Sequence, residues 1–199
     1  MSHYFQYDSS IISNEKQIEF SIDGRKIKLF TDNGVFSKNR IDEGTLVLLE
    51  AIVPLRLTGR ILDLGCGYGP LGLTIALTSP LCSVDMSDIN VRALELAKKN
   101  VEMLGLSQRV TILHSDVYEN IEGPYDSIVV NPPIRAGKRV TYSMYEGAKQ
   151  YLIDGGSLYV VIRRAQGAES ASKYIETVFG NVCLLLRNKG YYILKATKR

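Results

Sequence analysis

Downstream of residue 60 the apolar positions alternate between two rhythms. Short runs rich in Val, Ile and Leu, namely RILDLG (60–65), CSVDMSD (82–88), VTILHSD (110–116), DSIVVN (126–131) and SLYVVIRR (157–164), predict strands. Between them LGLTIALTS (71–79), NVRALELAKKNVEMLG (90–105), MYEGAKQYLI (144–153) and SASKYIETVFG (170–180) predict helices. In the second of these Val91, Leu94, Ala97, Val101 and Leu104 mark one face. Alternation of this kind implies a parallel sheet covered on both faces. NVCLLLRNKGYYILKAT (181–197) reads as two strands around Asn188-Lys189-Gly190, which adds an antiparallel last strand. Upstream, QIEFSIDGRKIKLF (17–30) predicts a hairpin: Ile18, Phe20 and Ile22 alternate before the tight-turn dipeptide Asp23-Gly24, and Ile27 and Leu29 after it. TLVLLEAIV (45–53) predicts a helix with Leu46, Leu49, Ala51 and Val53 on or near one face. The expected fold is α/β, a doubly wound, mostly parallel sheet with a hairpin extension. One domain over 1–199 is expected, 1–58 being the extension and 59–199 the core.

Composition narrows the class. The chain has 199 residues, 45% hydrophobic and 23% charged, as in globular proteins with a substantial core. No apolar run reaches membrane-spanning length, and MSHYFQYDSS lacks a signal-peptide segment, so a cytoplasmic protein is expected. Three scattered cysteines (Cys66, Cys82, Cys183), two histidines (His3, His114) and no CxxC argue against a zinc site or a disulfide framework; no metal is expected. The net charge of +3 hides an asymmetry. Residues 134–199 hold twelve Lys/Arg against four Asp/Glu, whereas residues 59–133 hold five against nine. The basic C-terminal third is a footprint for a polyanion.

The candidate chemistry sits at strand ends. In ILDLGCGYGPLG (61–72) a strand delivers Asp63, and Gly65, Gly67 and Gly69 then turn the chain into a helix. Glycines let a ligand approach the backbone closely. The third glycine comes one position too early for the dinucleotide pattern GxGxxG, and Asp63 would repel a pyrophosphate but suit a cationic amine. A cofactor bearing an ammonium and a sulfonium fits better than one bearing phosphates. In SVDMSDIN (83–90) Asp88 lies 21 residues after Gly67, near the spacing at which a second strand offers an acid to ribose hydroxyls. Asp85 competes for that role, and Asp88 could instead cap the next helix. In HSDVYENI (114–121) Asp116 is placed to accept from an adenine amino group while Val117 packs on the ring, or is a plain turn carboxylate. Cys66 has no histidine nearby in sequence to activate it and reads as a small loop residue rather than a nucleophile. In DSIVVNPPI (126–134) the prolines forbid further strand pairing and fix the Asn131 amide at a sheet edge.

The glycine loop, the two acids and Asn-Pro-Pro, in this order, resemble the Rossmann-like class I S-adenosylmethionine-dependent methyltransferases. NGVFSKNRIDEGTLVLLE, NPPIRAGK, VIRRAQGAE and NKGYYILKATK extend the likeness over nearly the whole chain. They resemble the bacterial small-subunit ribosomal RNA guanine-N2 methyltransferases, and in particular single-domain relatives of that family's catalytic half. The resemblance implies S-adenosylmethionine as cofactor, held by Asp63, Gly65, Cys66, Gly67, Gly69, Asp88, Ile89, Asp116, Val117 and Asn131. It implies a catalytic turn of Asn131, Pro132, Pro133 and Ile134, and a guanine amine of ribosomal RNA or the small subunit as substrate. The Asn131 oxygen and the Pro132 carbonyl would accept both hydrogens of that amine.

Two features depart from the family pattern. Members typically carry two methyltransferase-like domains where one is expected here, which leaves a homo-oligomer open. Their fourth motif position is often aromatic where this chain has Ile134; Phe36, Tyr68, Tyr142 and Tyr145 are the candidate stacking rings. Phe36 together with Arg135, Lys138 and Arg139 forms the expected substrate-binding set, the three cations around an extruded nucleotide. Asn-Pro-Pro also serves a protein glutamine amide or adenine N6 of DNA, and a silent RNA-binding module could keep the fold; the basic C-terminal third favours nucleic acid.

Overall fold

The structure, a computed structural model, describes residues 12–199 without the side chain of Arg135. His3 and the segment on which the export reading rests lie outside the described residues. A two-stranded antiparallel hairpin, β1 (Lys16–Ile22) and β2 (Arg25–Thr31), precedes helix α1 (Glu43–Ile52). Its turn puts Asp23 and Gly24 at φ 50° and 70°, the left-handed pair that a two-residue hairpin turn requires. There follow β3 (Gly59–Leu64), α2 (Pro70–Thr78), β4 (Cys82–Asp88), α3 (Val91–Met103), β5 (Val110–His114) and β6 (Tyr125–Val130). The chain closes with α4 (Lys138–Tyr151), β7 (Leu152–Arg163), α5 (Ala168–Phe179), β8 (Cys183–Asn188) and β9 (Tyr191–Thr197).

Seven strands form one sheet in the order β5-β4-β3-β6-β7-β9-β8. The pairs through β7 are parallel, and β9 runs antiparallel to both β7 and β8. Both faces are covered, as expected. On one face α1, α2, α3 and the hairpin bury Leu48, Leu73, Ala97 and Leu29 against Ile61 and Val129. On the other α4 and α5 bury Tyr145, Ala148 and Ile175 against Leu62, Ile128 and Val130. Successive residues of β3 and β6 thus serve opposite layers, the period of two that a pleated strand imposes.

Several boundaries differ from the sequence reading. Helix α4 starts at Lys138, six residues before the expected Met144. Its early turns, KRVTYS, are polar and β-branched, so their apolar period is weak. Thr141 is nonetheless buried there, its Oγ1 donating to the Gly137 carbonyl at 3.1 Å. Leu152 and Ile153 belong to β7 rather than the helix, and β5 stops at His114, leaving Ser115 and Asp116 in a turn. In α1 the fully buried residues are Val47, Leu48, Leu49 and Ile52, while Leu46 and Ala51 are half-buried, because the helix is packed on several sides. In α3 Val91 is exposed, and Asn100 joins the buried face instead.

Asn100 explains why the hairpin is fixed to the core. Its Oδ1 accepts from Phe30 N at 2.6 Å, and its Nδ2 donates to the carbonyls of Phe30 and Tyr68 at 3.0 Å each. One buried amide therefore ties β2 to the glycine loop. Asn100→Ala strands one buried and two half-buried backbone groups, so a loss of about 2–4 kcal/mol is expected in urea unfolding. Amide exchange in β2 should accelerate more than in β3.

Candidate active site

In an open α/β sheet, ligands gather at the carboxyl ends of the strands where the strand order reverses. Here that point lies between β3 and β6. Asp63 near the end of β3 pairs with Val129, two residues before Asn131. Asp88 and His114 are paired at the ends of β4 and β5. The glycine loop, Asp88, Asp116 and Asn131 are therefore brought to one edge by four adjacent strands.

The loop after β3 is held from below. The amides of Gly65 and Cys66 both donate to the Ser87 carbonyl at 2.8 Å, and Gly67 N donates to Asp88 Oδ2 at 2.8 Å. Gly65, Gly67 and Gly69 have φ of 79°, 58° and 95°, which favours glycine. A Cβ on Gly67 would meet nothing within 4 Å, so the loop faces open space there, whereas a Cβ on Gly69 would strike Met86 and Leu73. The first keeps an approach to the backbone clear, and the second lets α2 sit tightly on β4. Cys66 is buried, and burial with the Asp88 and Asp63 charges pushes its thiol well up; it is an inert packing residue.

Two carboxylates face this loop without a Lys or Arg within 4 Å among the described residues. Asp63 is fully buried and accepts from Gly72 N at 2.8 Å. Burial pushes its carboxyl up to about 7, against the lowering pull of that bond and with the Asp88 charge adding to the rise. Asp88 Oδ1 accepts from Asn90 N at 2.8 Å, and burial also raises this carboxyl above the usual range. The cap of α3 is the Asn90 side chain, accepting from Arg92 N and Ala93 N, so Asp88 is not the helix cap. Asp85 is spent elsewhere: Arg60 Nη2 lies 2.7 Å and the Tyr125 hydroxyl 2.8 Å from its Oδ2. Of the two acids on β4, Asp88 faces the loop. Tyr68 OH and Ser87 Oγ are buried at the same place with no partner among the described residues.

Asn131 is braced by residues that the sequence reading missed. Its Nδ2 donates to Asp42 Oδ2 at 2.9 Å and to Thr45 Oγ1 at 2.8 Å. Asp42 is the N-cap of α1 and also accepts from Thr45 N at 2.9 Å. A carboxylate offers no hydrogen, so it must face the amide nitrogen. Asn131 Oδ1 consequently points away from the brace, and no donor among the described residues occupies it or the Pro132 carbonyl. The only sequence signal was Asp42 ahead of an apolar helix, which reads as a cap. Burial, then the Asp42 charge, raises the nearby Tyr68 phenol, which stays protonated.

The other expected residues divide. Asp116 is exposed, and Val117 has φ 49°, a conformation that costs a β-branched residue. Ile89 is exposed next to Asp88, and Ile134 packs against the α4–α5 layer in the turn Ile134–Ala136 that holds Arg135. Lys138 and Arg139 are exposed in the first turn of α4, which carries no acid, so two cations stand at the positive end of a helix. Among the candidate rings Tyr68 and Tyr145 are buried, Tyr142 stacks on Tyr174 at 4.1 Å, and Phe36 is 55% exposed. Burial removes the first two from the stacking role.

This arrangement of a glycine turn with an acid below it, a second acid on the next strand and a braced amide across the switch point is that of a class I methyltransferase. The chain matches the methyltransferase small domain family over residues 26–195 and belongs to it. It is thus an S-adenosylmethionine-dependent methyltransferase. It is 38% identical to the YbxB protein of Bacillus subtilis (strain 168) over 98% of both chains. It is 35% identical to the ribosomal RNA small subunit methyltransferase C of Hahella chejuensis (strain KCTC 2396), covering 86% of this chain and 50% of that one. The 16S rRNA N2 methyltransferase of T. thermophilus, solved with AdoMet and guanosine, superposes with a TM-score of 0.84 at 28% identity, covering 93% of this chain and 51% of that one. The chain spans about half the length of these two ribosomal RNA methyltransferases.

The raised Asp63 gives a test with a definite sign. An unfolded Asp titrates near 3.8 and this one near 7, so between those values the folded free protein holds the extra proton. Its contribution to stability therefore falls as pH rises through that window and is flat above it. A cationic ligand beside Asp63 favours the ionised form. The rise in Tm produced by S-adenosylmethionine should grow from pH 6 to pH 8, and Asp63→Asn should flatten that growth in thermal-shift titrations.

The brace gives another test. Asp42→Ala leaves only the Thr45 hydroxyl on Asn131, which fixes neither end of the amide, and removes a helix cap worth about 1 kcal/mol. Methyl transfer should fall at least tenfold while calorimetry shows little change in cofactor affinity.

Proposed function

We propose that this enzyme methylates an exocyclic amine of a base in RNA, with guanine N2 of small-subunit ribosomal RNA as the target, in the cytoplasm. The observation that carries the reading is the orientation of Asn131: Asp42 and Thr45 hold its Nδ2, which turns Oδ1 away from the brace, and no donor among the described residues occupies Oδ1 or the Pro132 carbonyl. Two adjacent acceptors match the two hydrogens of a planar amine. The printed activities of the Hahella and T. thermophilus relatives support ribosomal RNA, and the latter's guanosine supports the base.

The residues fit S-adenosylmethionine. Asp63, buried with no Lys or Arg within 4 Å among the described residues, suits an ammonium; Asp88 keeps lone pairs for a pair of hydroxyls; the open space over Gly67 admits a ligand against the backbone. Asp116, exposed just after β5, and Val117 would receive the adenine. S-adenosylmethionine held by these residues would supply an electrophilic methyl on a positive sulfur. An exocyclic base nitrogen is a poor nucleophile because its lone pair is delocalised into the ring. Asn131 Oδ1 and the Pro132 carbonyl hold that nitrogen in line and stabilise the positive charge growing on it. Phe36, exposed, offers the ring that Ile134 does not. Arg135, Lys138 and Arg139 follow the turn, and the last two start α4 with uncompensated charge suited to phosphate. Because α1 supplies Asp42 and Thr45, residues 1–58 and 59–199 act as one catalytic domain.

The direct test is transfer of labelled methyl to total bacterial RNA followed by nucleoside analysis. N2-methylguanosine is expected; label confined to protein or DNA would overturn the reading. Asn131→Ala should lower kcat on the order of 10²–10³-fold with cofactor affinity nearly unchanged. Asn131→Asp, which keeps an acceptor, should retain partial activity. Full activity in both variants would make Asn131 a mere strand terminator.

A further inference from the structure

The active edge does not end at Asn131. Beyond it, where β7 turns into α5 and β8 turns into β9, lies a groove of about 660 Å³ lined by Arg163, Arg164, Gly167, Ser170, Lys189 and Gly190. Val130 pairs with Val160, so Arg163 stands roughly 7 Å further along the strands than Asn131 and one strand, about 4.8 Å, across. That places the groove beside the catalytic turn, on the side away from the glycine loop.

Its charge is not consumed locally. Among the described residues Arg163 and Arg164 meet no carboxylate within 4 Å, and both are exposed. Lys189 pairs with Glu43 at 3.8 Å across half-exposed side chains, a weak contact that a better anion displaces. Glu169 is the one acid lining the groove, and it sits in the first turn of α5, where the helix dipole compensates it. The groove is also shaped by backbone. Arg164 N donates to the Gly190 carbonyl at 2.8 Å, locking the β8–β9 turn against the end of β7. The guanidinium of Arg163 lies 6.0 Å from the centre of the Tyr191 ring. A Cβ on Gly44, two residues after Asp42, would come within 3.1 Å of that ring. Tyr191 thus joins the groove to the brace of the catalytic amide.

We infer that this groove holds a backbone phosphate of the RNA strand next to the methylated nucleotide, with Arg163 and Arg164 as its principal ligands and Lys189 as a third. The inference rests on the reading of the substrate as RNA. The cations at the start of α4, a helix that follows the Asn131 turn and packs on β7 and α5, add a second positively charged contact along the same strand. Arginine's planar fork suits a phosphate better than a point charge does.

The test uses a fluorescein-labelled 16S ribosomal RNA fragment and the full chain. Anisotropy gives affinity against salt, and labelled-methyl assays give KM and kcat. Arg163→Gln with Arg164→Gln should raise the RNA KM about tenfold or more and leave kcat and cofactor affinity nearly unchanged. Each lost phosphate contact should flatten the log–log salt slope by roughly 0.7–0.9. Lys189→Gln alone should flatten it by less. A parent enzyme that methylates the RNA, with variants that keep its KM and slope, overturns the groove but not the function. A parent that binds RNA through Arg163 and Arg164 yet methylates none of it overturns the function and leaves the groove standing. A parent that does not bind RNA overturns both.

Discussion

The amide of Asn131, donating to Asp42 and Thr45, is the contact through which the rest of the site is organised. It joins the end of a core strand to the first turn of a helix that precedes the sheet in sequence. Because a carboxylate accepts only, the contact has one polarity and fixes which end of the amide faces outward. Prolines on the C-terminal side keep the strand from continuing, so the amide is held between a rigid backbone and a capped helix. The hairpin and α1 are bound into this arrangement in turn. Asn100 ties β2 to the glycine loop, and α1 packs into the same hydrophobic layer as α2 and α3.

Next to this neutral acceptor lie two carboxylates whose surroundings disfavour their charge. Asp63 and Asp88 receive backbone N–H groups, but no Lys or Arg lies within 4 Å of them among the described residues. Asp85, three residues before Asp88 on β4, has both Arg60 and Tyr125 and is a finished interaction within the fold. The difference separates an acid paired within the fold from two left without a cation among the described residues. A buried acid raised towards neutrality is costly to ionise in the free protein, and a cationic cofactor offsets that cost on binding. The same logic applies in reverse on the far side of Asn131. Cations at the start of α4 and at the end of β7 lack full compensation, and they suit a polyanion. The sheet edge therefore runs from an acidic, buried end to a basic, exposed one.

The order of strands and helices, the hairpin turn at Asp23-Gly24, the glycine loop and the strand stop at Asn-Pro-Pro were legible in the sequence. Each is written in local chemistry: the period of two or of 3.6, the φ that glycine permits, the N–H that proline lacks. Asp63, Asp88 and Asn131 were legible as candidates because they end predicted strands. What the sequence could not show was which contacts those side chains make. Asp42 and Thr45 lie 89 and 86 residues from Asn131, and Asp42 reads locally as nothing more than a cap. Asp85 and Asp88 are equivalent acids until the sheet assigns one to Arg60 and the other to the glycine loop. Tyr68 and Tyr145 look like available rings until packing buries them. The start of α4 was missed because Lys138 to Ser143 carry little apolar period; Gly137 and the packing of Thr141 decide it. Local pattern determines where the backbone turns, and that much belonged to the sequence alone. Whether a polar group is satisfied, left open or buried depends on atoms brought from distant strands, and only the tertiary structure decides that.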